Sequence, residues 1–346
     1  MCLICHPFYW AKDTGRGIDR YNYELLLNLR RLGVNASVLS SGFIRSIPEG
    51  AIKELIFPLR LLKARTDLYH AVHPIGGKTA ILTGKKPLIT TVHDVLPCFF
   101  RGIHDFGLHY KFKFLSLKLA AEKSDRVITT SRFMKNILGS LMHVSGQKIN
   151  VTYLGIDHDK FFPQPRIEKV VRRILFIGEV VFEKGIDTLL EAFRLVSETL
   201  RDVELVIGGR GVDLRSAIQL ASKLRIDHEV RFLGYVPEDE LSKHYNLADV
   251  FVFPSRYGLG MPMLEAMACG TPTIYGATFD APEYAGDSAM PVDPDDPRQL
   301  ADAIIKILAD EDFSEALSKK GILRTMNFSW RKMAEDTLKI YGDVSS

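Results

Sequence analysis

One short segment of the sequence, FPSRYGLGMPMLEAMA from Phe253 to Ala268, combines residue types that favour anion binding. Gly258 and Gly260 allow the backbone to approach a ligand closely, and Pro262 suits the first turn of a helix. The amide groups and the dipole of such a helix start favour an anion such as phosphate. A plain strand-to-helix turn is the alternative, and this segment alone does not decide between the two.

Two side chains could complete such a site. Glu265, one turn inside the expected helix, could accept hydrogen bonds from two neighbouring hydroxyls, as on a ribose; an ordinary surface glutamate is the alternative. A second strand–loop–helix pattern, FIGEVVFEKGIDTLLEAF from Phe176 to Phe193, places Lys184 just before a helix. An amine there can reach a phosphate oxygen, and Gly185 permits the tight entry into the helix.

The elements that position these residues alternate along the chain. Strands are expected at VNASVLS, KPLITTVHDV, DRVITTS and KINVTYLG, then at RRILFIGEV, VELVIGG, EVRFLGYV, DVFVFPS and TPTIYG, with helices at Tyr21–Leu32 and Gly185–Glu198. This alternation predicts an α/β protein with two doubly wound, Rossmann-like domains. Ligands of such folds bind at the carboxyl ends of the strands, so we expect them in a cleft between the domains. The expected domains are residues 1–162 and 163–325, with a linker near Phe162 to Arg166; residues 326–346 are expected to form a helix that crosses back to the first domain.

Composition excludes several classes of protein. The chain has 346 residues, 46% hydrophobic and 25% charged, as in ordinary globular proteins. No apolar run reaches the roughly 18 residues of a membrane span, and the apolar N-terminus is expected to be a buried strand and not a signal peptide. Four scattered cysteines with a single C-x-x-C, Cys2 and Cys5, predict reduced, buried thiols in a cytoplasmic protein and no structural zinc site.

Charge is unevenly distributed. The first 165 residues carry 23 Lys and Arg against 12 Asp and Glu, and the remaining residues carry 22 against 30. A basic half indicates an anionic partner such as nucleic acid, phospholipid or a phosphorylated substrate, whereas a chance surface fluctuation is the alternative. The segment from His109 to Lys123, which alternates Lys with apolar residues, predicts either a helix on an anionic membrane or a simple amphipathic helix.

Taken together, the motifs resemble the retaining glycosyltransferases of family 4, which have the GT-B fold. The resemblance covers nearly the whole chain and rests on ILFIGEVVFEKGIDTLLEAF, EVRFLGYVPEDELSKHYNLADVFVFPS, GLGMPMLEAMACGTPTI and FSWRKMAEDTLKIY, together with DTGRGIDRYNYELLLNL, TVHDVLP and VTYLGIDHDKFFP earlier in the chain. It implies transfer of a hexose from a nucleotide-sugar to an acceptor hydroxyl, in polysaccharide or glycolipid biosynthesis. It implies no metal and no cofactor, the nucleotide-sugar being a substrate, and no nucleic-acid partner.

The resemblance also implies roles for individual residues. Lys184 and the backbone from Gly258 through Leu259 and Gly260 to Met261 would hold the donor phosphates, and Glu265 the ribose. From the other domain, Gly15 and Gly17 would contact the phosphate or sugar, and His93 would contact the transferred hexose, with Asp94 orienting that histidine or capping the next turn. A structural His93 is the alternative. His70 and His73 are expected to have a structural or acceptor-side role.

Two positions depart from the family pattern. Tyr257 stands where the family has the first of two glutamates, the one that binds hydroxyls of the donor sugar. Glu179, after Gly178, stands where the family has an arginine that neutralises the diphosphate; Arg210 or Arg256 could replace the lost charge. Two hypotheses therefore remain. The first is an active enzyme that reacts by front-face attack. The second is a catalytically impaired family member that binds a nucleotide-sugar or acts as a partner subunit. A sugar phosphorylase or an epimerase is a lesser alternative.

Overall fold

The computed structural model describes residues 2–6, 17–40, 56–95, 108–165, 170–258 and 260–345, and it divides into two compact units. The first unit comprises Met1–Gly155 together with Trp330–Ser346, and the second comprises Ile156–Ser329. Each unit contains a six-stranded parallel sheet with flanking helices, which confirms the predicted α/β class with two doubly wound domains. The domain boundary expected at residue 162 falls inside the second unit, and the end of the chain joins the first unit from Trp330 onward.

The sheet of the first unit has the strand order β2-β1-β3-β4-β5-β6. Its strands are β1 (Cys2–His6), β2 (Ala36–Ser40), β3 (Leu68–Ala71), β4 (Leu88–Val92), β5 (Arg126–Thr129) and β6 (Ile149–Val151). Its helices are α1 (Gly17–Arg31), α2 (Phe57–Lys63), α3 (Pro74–Leu82), α4 (Leu108–Lys123) and α5 (Arg132–Met142). The direction of winding reverses between β1 and β3, the place where doubly wound sheets bind ligands.

The second sheet has the order β12-β11-β10-β7-β8-β9. Its strands are β7 (Arg172–Ile177), β8 (Val203–Gly208), β9 (Val230–Gly234), β10 (Val250–Phe253), β11 (Thr273–Gly276) and β12 (Met290–Val292). Its helices are α6 (Ile186–Thr199), α7 (Leu214–Lys223), α8 (Leu241–Asn246), α9 (Met261–Ala268), α10 (Ala281–Ala285), α11 (Pro297–Ala309) and α12 (Glu311–Thr325). Winding reverses between β7 and β10, so the loops after these two strands flank the expected ligand position.

Hydrophobic pattern explains why these segments form these elements. Every residue of β4 and of β10 is buried, as expected for strands covered on both faces. Helix α1 buries Tyr21, Leu25 and Leu29, which are spaced four residues apart and so share one face. Helices α1 and α6 agree with the segments predicted from sequence, although α1 begins earlier than expected. Among the helices in the described part of the chain, none has the length and apolar character needed to span a bilayer.

The final helix, α13 (Trp330–Ser345), packs on α1 and is tied to the sheet through His70. The Nδ1 atom of His70 is 2.6 Å from the hydroxyl of Tyr341, and Nε2 is 2.7 Å from the hydroxyl of Thr91. His70 is fully buried, and burial, with a smaller effect of nearby His93, lowers the pKa of its imidazole to about 3. His70 is therefore a neutral, structural histidine that joins β3 to β4 and to α13.

Replacing His70 with Gln should make the stability of the first unit less dependent on pH. Between pH 6.5 and about 3 the unfolded chain binds a proton at His70 that the folded chain does not. The wild-type contribution is complete above pH 6.5 and is lost as pH falls through this window, by an amount on the order of 2 kcal/mol at pH 5. Urea unfolding at pH 7 and pH 5 measures this, with tryptophan fluorescence as the probe because both tryptophans belong to the first unit.

His143→Asn is the matched control for His70→Gln. His143 is exposed in the same unit, and its positive φ of 55° is one that Asn tolerates. This variant should keep the wild-type pH dependence. Equal losses between pH 7 and pH 5 in the wild type and in His70→Gln would contradict the role given to His70.

Candidate functional site

The carboxyl edge of the second sheet is closely packed because glycines occupy its contact points. Gly185 has a φ of 71°, and a Cβ added there would lie 2.0 Å from the carbonyl oxygen of Pro254. A Cβ on Gly260 would lie 2.4 Å from the ring of Phe253. The loop after β7 therefore touches the loop after β10 at Gly185, and the loop after β10 folds back onto its own strand at Gly260. A larger residue at either position would prevent that contact.

Lys184 lies between these two loops. It ends a short 3₁₀ turn, Phe182–Lys184, and is half-buried. Its Nζ atom donates to the carbonyl oxygen of Tyr257 at 3.4 Å and lies 5.5 Å from the centre of the Tyr257 ring and 5.7 Å from that of Phe253. Two sequence segments that were identified separately are thus brought together around one ammonium group.

The loop from Ser255 to Gly260 presents the start of helix α9. The hydroxyl of Ser255 donates to the carbonyl oxygen of Tyr257 at 2.6 Å and accepts from its backbone N–H at 3.3 Å, which fixes the turn. Gly258 has a φ of 75°. In the described part of the chain no side chain caps the helix at Gly260. The backbone N–H of Met263 donates to the carbonyl oxygen of Gly260 at 3.0 Å and Pro262 has no N–H, so the amides of Gly260 and Met261 are the ones left for solvent or an anion. Leu259, expected in this set, lies outside the described residues.

Arg256 forms ion pairs with two carboxylates of its own unit. Its two terminal nitrogens donate to the two carboxylate oxygens of Asp187, at 2.8 and 3.0 Å, and its Nε atom donates to Asp295 at 2.6 Å. It also donates to the hydroxyl of Thr188 and to the carbonyl oxygen of Phe182. The bond to Asp187 is the largest influence that raises the pKa of the Arg256 guanidinium. The positive charge of Arg256, which could have neutralised a diphosphate, is balanced by Asp187 and Asp295. Arg256 therefore links the loop after β10 to helix α6.

The remaining residues expected in this group lie at the ends of β7 and β8. The backbone N–H of Gly178 donates to the carbonyl oxygen of Gly208 at 3.0 Å. Glu179 is exposed, and Arg210 is exposed with its guanidinium 5.5 Å from the centre of the Tyr235 ring. Among the described contacts, none joins Arg210 to Lys184 or to Tyr257.

Glu265 is buried under the helix start. Only 3% of the residue is exposed, and its Oε2 atom accepts a hydrogen bond from the hydroxyl of Tyr245 at 2.7 Å. The alternative of an ordinary surface glutamate is therefore wrong. A buried carboxylate that is held by a specific donor has a defined orientation, which suits a binding role.

In the first unit, the described candidates lie at the carboxyl edge of its own sheet. His93 follows β4 directly and is half-buried, with its ring edge-to-face to Tyr21 at a centroid distance of 4.5 Å. Gly17 begins helix α1 and is exposed, and Asp94 is exposed. Gly15 lies outside the described residues. His73 caps helix α3, because its Nδ1 atom accepts from the backbone N–H of Ile75 at 3.2 Å.

Two family models match almost the whole chain. Residues 15–160 match the model described as Glycosyltransferase Family 4, and residues 157–324 match the model described as Glycosyl transferases group 1. The chain belongs to glycosyltransferase family 4. The resemblance inferred from the sequence motifs is therefore confirmed, and the protein is a glycosyltransferase.

Named relatives and a solved structure agree with this assignment. The chain is 27% identical to the O-antigen chain mannosyltransferase B of Escherichia coli, over 94% of this chain and 95% of that protein. It is 31% identical to the GDP-mannose-dependent alpha-(1-6)-phosphatidylinositol monomannoside mannosyltransferase of Mycobacterium tuberculosis (strain CDC 1551 / Oshkosh), over 59% of this chain and 58% of that protein. The sucrose-phosphate synthase of Thermosynechococcus elongatus has the same fold, with a TM-score of 0.86, 21% identity, and coverage of 99% of this chain and 98% of that one.

Three residues of the candidate site had no role in the sequence analysis. Asp187 holds Arg256, Ser255 fixes the loop, and Tyr245 donates to Glu265. Tyr245 lies in a segment that carried the family resemblance, but its partner is 20 positions away on another helix. An acid in the first turn of a helix, such as Asp187, is a common helix-start feature and gave no separate signal.

Replacing Arg256 with Gln should destabilise the second unit of the glycosyltransferase by about 1–3 kcal/mol, because several charge-assisted hydrogen bonds are lost at a half-buried position. Thermal unfolding followed by circular dichroism measures the change. Arg194→Gln, on the helix that carries Asp187, α6, is the control: Arg194 forms an exposed pair with Glu198, which should contribute less than about 0.5 kcal/mol. Similar thermal unfolding midpoints for the two variants would show that the contacts of Arg256 do not stabilise the second unit.

Proposed function

We propose that this glycosyltransferase moves a hexose, with retention of configuration and without a metal, from a nucleotide-sugar to the hydroxyl of a saccharide or lipid-linked acceptor. The donor binds at the carboxyl edge of the second sheet. The observation that carries this proposal is the position of Lys184 beside the Tyr257 loop and the uncapped start of α9. A cation and free helix amides at one place suit a diphosphate, which is the leaving group of the reaction.

The proposed mechanism depends on positioning and on stabilising the departing diphosphate. The bond between the anomeric carbon and the leaving phosphate oxygen breaks, and the acceptor oxygen forms its bond on the same face of the sugar. The acceptor proton passes to the departing phosphate. Lys184 and the amides of Gly258, Gly260 and Met261 stabilise the negative charge that develops. Positive charge from the lysine and the helix dipole takes the place that a metal ion has in other transferases.

The other residues bind and orient the donor. Glu265 accepts hydrogen bonds from the ribose, and Tyr257 lies toward the outer hydroxyls of the sugar. In the first unit, His93 is proposed to contact the transferred hexose and Gly17 the phosphate or the sugar. Arg256 keeps the loop in place and is not a phosphate ligand in this proposal.

A mannosyl donor is the first to test. The two relatives described above are named for mannosyl transfer, one of them for dependence on GDP-mannose. The tyrosine at position 257 offers one hydrogen-bond donor and an aromatic face where a carboxylate would accept two bonds. It is therefore suited to a sugar that presents its hydroxyls differently from the usual donor of the family.

Replacing Lys184 with Ala should weaken binding of a nucleoside diphosphate by about tenfold or more and lower turnover, because the ammonium contact to the phosphates is lost. Calorimetric titration with GDP and UDP tests this. Binding of the nucleoside without phosphates should not change. Lys223→Ala, at the exposed end of α7, is the control and should bind like the wild type. Unchanged diphosphate affinity together with unchanged activity in Lys184→Ala would overturn the proposed donor site.

Replacing Tyr257 with Glu should change the ranking of sugars on one nucleotide, by about 1–3 kcal/mol for a buried polar mismatch. Competition kinetics with several sugars on a single nucleotide measures the ranking. Glu265→Gln should impair all donors alike, because the ribose is common to them. A ranking that stays the same after Tyr257→Glu would place this residue outside the sugar pocket.

A second function, nucleotide-sugar binding without transfer, is favoured by one observation. Arg256 is balanced by Asp187 and Asp295, and Glu179 adds an acid, so Lys184 carries the cationic role without the arginine of the family pattern. Wild-type protein that binds the nucleotide-sugar but releases no nucleoside diphosphate in the presence of saccharide acceptors would establish this alternative.

We also propose that the first unit associates peripherally with an anionic membrane. Exposed apolar side chains lie on three helices that pack side by side, α2, α3 and α4: Leu59, Leu62, Leu82, Phe112 and Leu115. Lysines and arginines lie among them, and Lys78 is 4.1 Å from the centre of the Phe112 ring. Apolar groups that can enter a bilayer, together with basic groups that attract its headgroups, are typical of peripheral membrane surfaces.

Liposome sedimentation tests the membrane proposal. Binding should require anionic lipid and should weaken as salt shortens the Debye length from about 10 Å at 0.1 M. A double variant, Leu59→Ser with Leu62→Ser, should reduce binding without changing turnover on a water-soluble acceptor. Equal recovery of the wild type in the supernatant under all conditions would leave an anionic soluble acceptor as the partner of the basic half.

A further inference from the structure

A buried tyrosine–carboxylate pair lies beneath the donor-binding edge. Tyr245, near the end of α8, is 0% exposed, and Glu265, in the middle of α9, is 3% exposed. The Tyr245 hydroxyl donates to the Oε2 atom of Glu265 at 2.7 Å. This bond joins two helices of the second unit at the residue that the proposed function assigns to the ribose.

Two ring contacts and one backbone hydrogen bond hold Tyr245 in place. The Tyr245 ring is edge-to-face with Phe251 of strand β10 and with Phe161, at centroid distances of 5.5 and 6.0 Å. The carbonyl oxygen of Tyr245 accepts a hydrogen bond from the Thr271 hydroxyl at 2.8 Å. Since both the ring and the backbone are fixed, the hydroxyl can serve as a rigid reference point for the carboxylate.

Such a reference point matters because the last torsion of a glutamate has no strong preference of its own. A carboxylate must turn the lone pairs of its oxygens toward two neighbouring hydroxyls in order to accept from both. A donor on Oε2 selects one orientation of the carboxylate plane before a ligand arrives. Orientation that is fixed in advance reduces the entropy lost on binding.

We propose that Tyr245 is a positioning residue for the nucleotide: its hydroxyl orients Glu265 to recognise the ribose, and so sets the preference for ribonucleotides over deoxyribonucleotides. This inference rests on the proposed function, which places the ribose at Glu265. A purely structural pair, which would only stabilise the packing of α8 on α9, is the competing explanation. The two differ in whether loss of the hydroxyl changes discrimination at the ribose.

The test compares the binding of ribose and deoxyribose forms of one nucleotide. Calorimetric titration is run with GDP, UDP and the 2′-deoxy form of each, on the wild type, Tyr245→Phe, Glu265→Gln and the double variant. Tyr245→Phe keeps the ring and its contacts and removes only the hydroxyl. Tyr284→Phe is the control, because Tyr284 is also fully buried in the second unit, against Phe328.

Tyr245→Phe should weaken binding of the ribonucleotide by about fivefold or more and that of the deoxynucleotide by less, so the ratio of the two affinities should fall. Glu265→Gln should lower the same ratio at least as far. The double variant should resemble Glu265→Gln alone, because the tyrosine acts through the carboxylate. The control should keep the wild-type ratio, and thermal unfolding midpoints identify any general loss of stability.

Each of three other outcomes would overturn one specific statement. A wild-type ratio in Tyr245→Phe combined with a collapsed ratio in Glu265→Gln would overturn the positioning role and leave the proposed function standing. A wild-type ratio in both variants would show that the ribose does not contact Glu265, and the inference would fall with that assignment. Failure of the wild type to bind either nucleotide would overturn the proposed function itself.

Discussion

The proposed donor-binding edge of this glycosyltransferase depends on the close contact of two loops, one after β7 and one after β10. The backbone at Gly185 touches the carbonyl of Pro254, and Arg256 reaches from the second loop to Asp187 at the start of α6. The contact requires glycine because a Cβ would overlap the neighbouring carbonyl, and the ion pairs hold the loops together once they meet. Lys184 is placed beside Tyr257 as a consequence. The grouping of a lysine with the start of α9 at this edge therefore follows from packing and does not arise from one residue.

Buried polar side chains lie beneath the loops of this edge. Desolvation of a carboxylate is costly unless a donor compensates it, and Tyr245 supplies that donor to Glu265. The same principle governs Arg256, whose charge is only half-buried and is matched by two carboxylates. In both cases the charged group is oriented by its own unit. For the proposed nucleotide ligand, groups that are oriented in advance in this way require little rearrangement on binding.

Sequence alone predicted the elements that local pattern determines, and it missed those that depend on distant contacts. Strand β10 and the last four residues of β7 are continuous apolar runs, and the Gly-x-Gly-x-Pro start of α9 has its own local chemistry, so both could be located. Strand β3, Leu68–Ala71, was missed because it is short and contains His70, whose burial is compensated by Thr91 and Tyr341 far along the chain. The partners of Arg256 and Glu265 were missed for the same reason. Arg256 was a candidate to neutralise the diphosphate because nothing near it in the sequence indicated that Asp187 and Asp295 are its partners.

The exchange of an arginine for Glu179 has a smaller electrostatic consequence than its sequence position suggests. The interaction between two charges varies inversely with the effective dielectric constant, which is near 80 in bulk water and about 20 near a protein surface. Glu179 is exposed, so water and salt screen its charge. Lys184 is half-buried between the rings of Phe253 and Tyr257, and its charge acts through a less polar medium. At equal distance from a diphosphate, the attraction of the lysine therefore exceeds the repulsion of the glutamate, and the helix amides at Gly260 and Met261 act in the same direction as the lysine. The charge balance at this edge is thus compatible with a bound diphosphate even without the arginine of the family pattern.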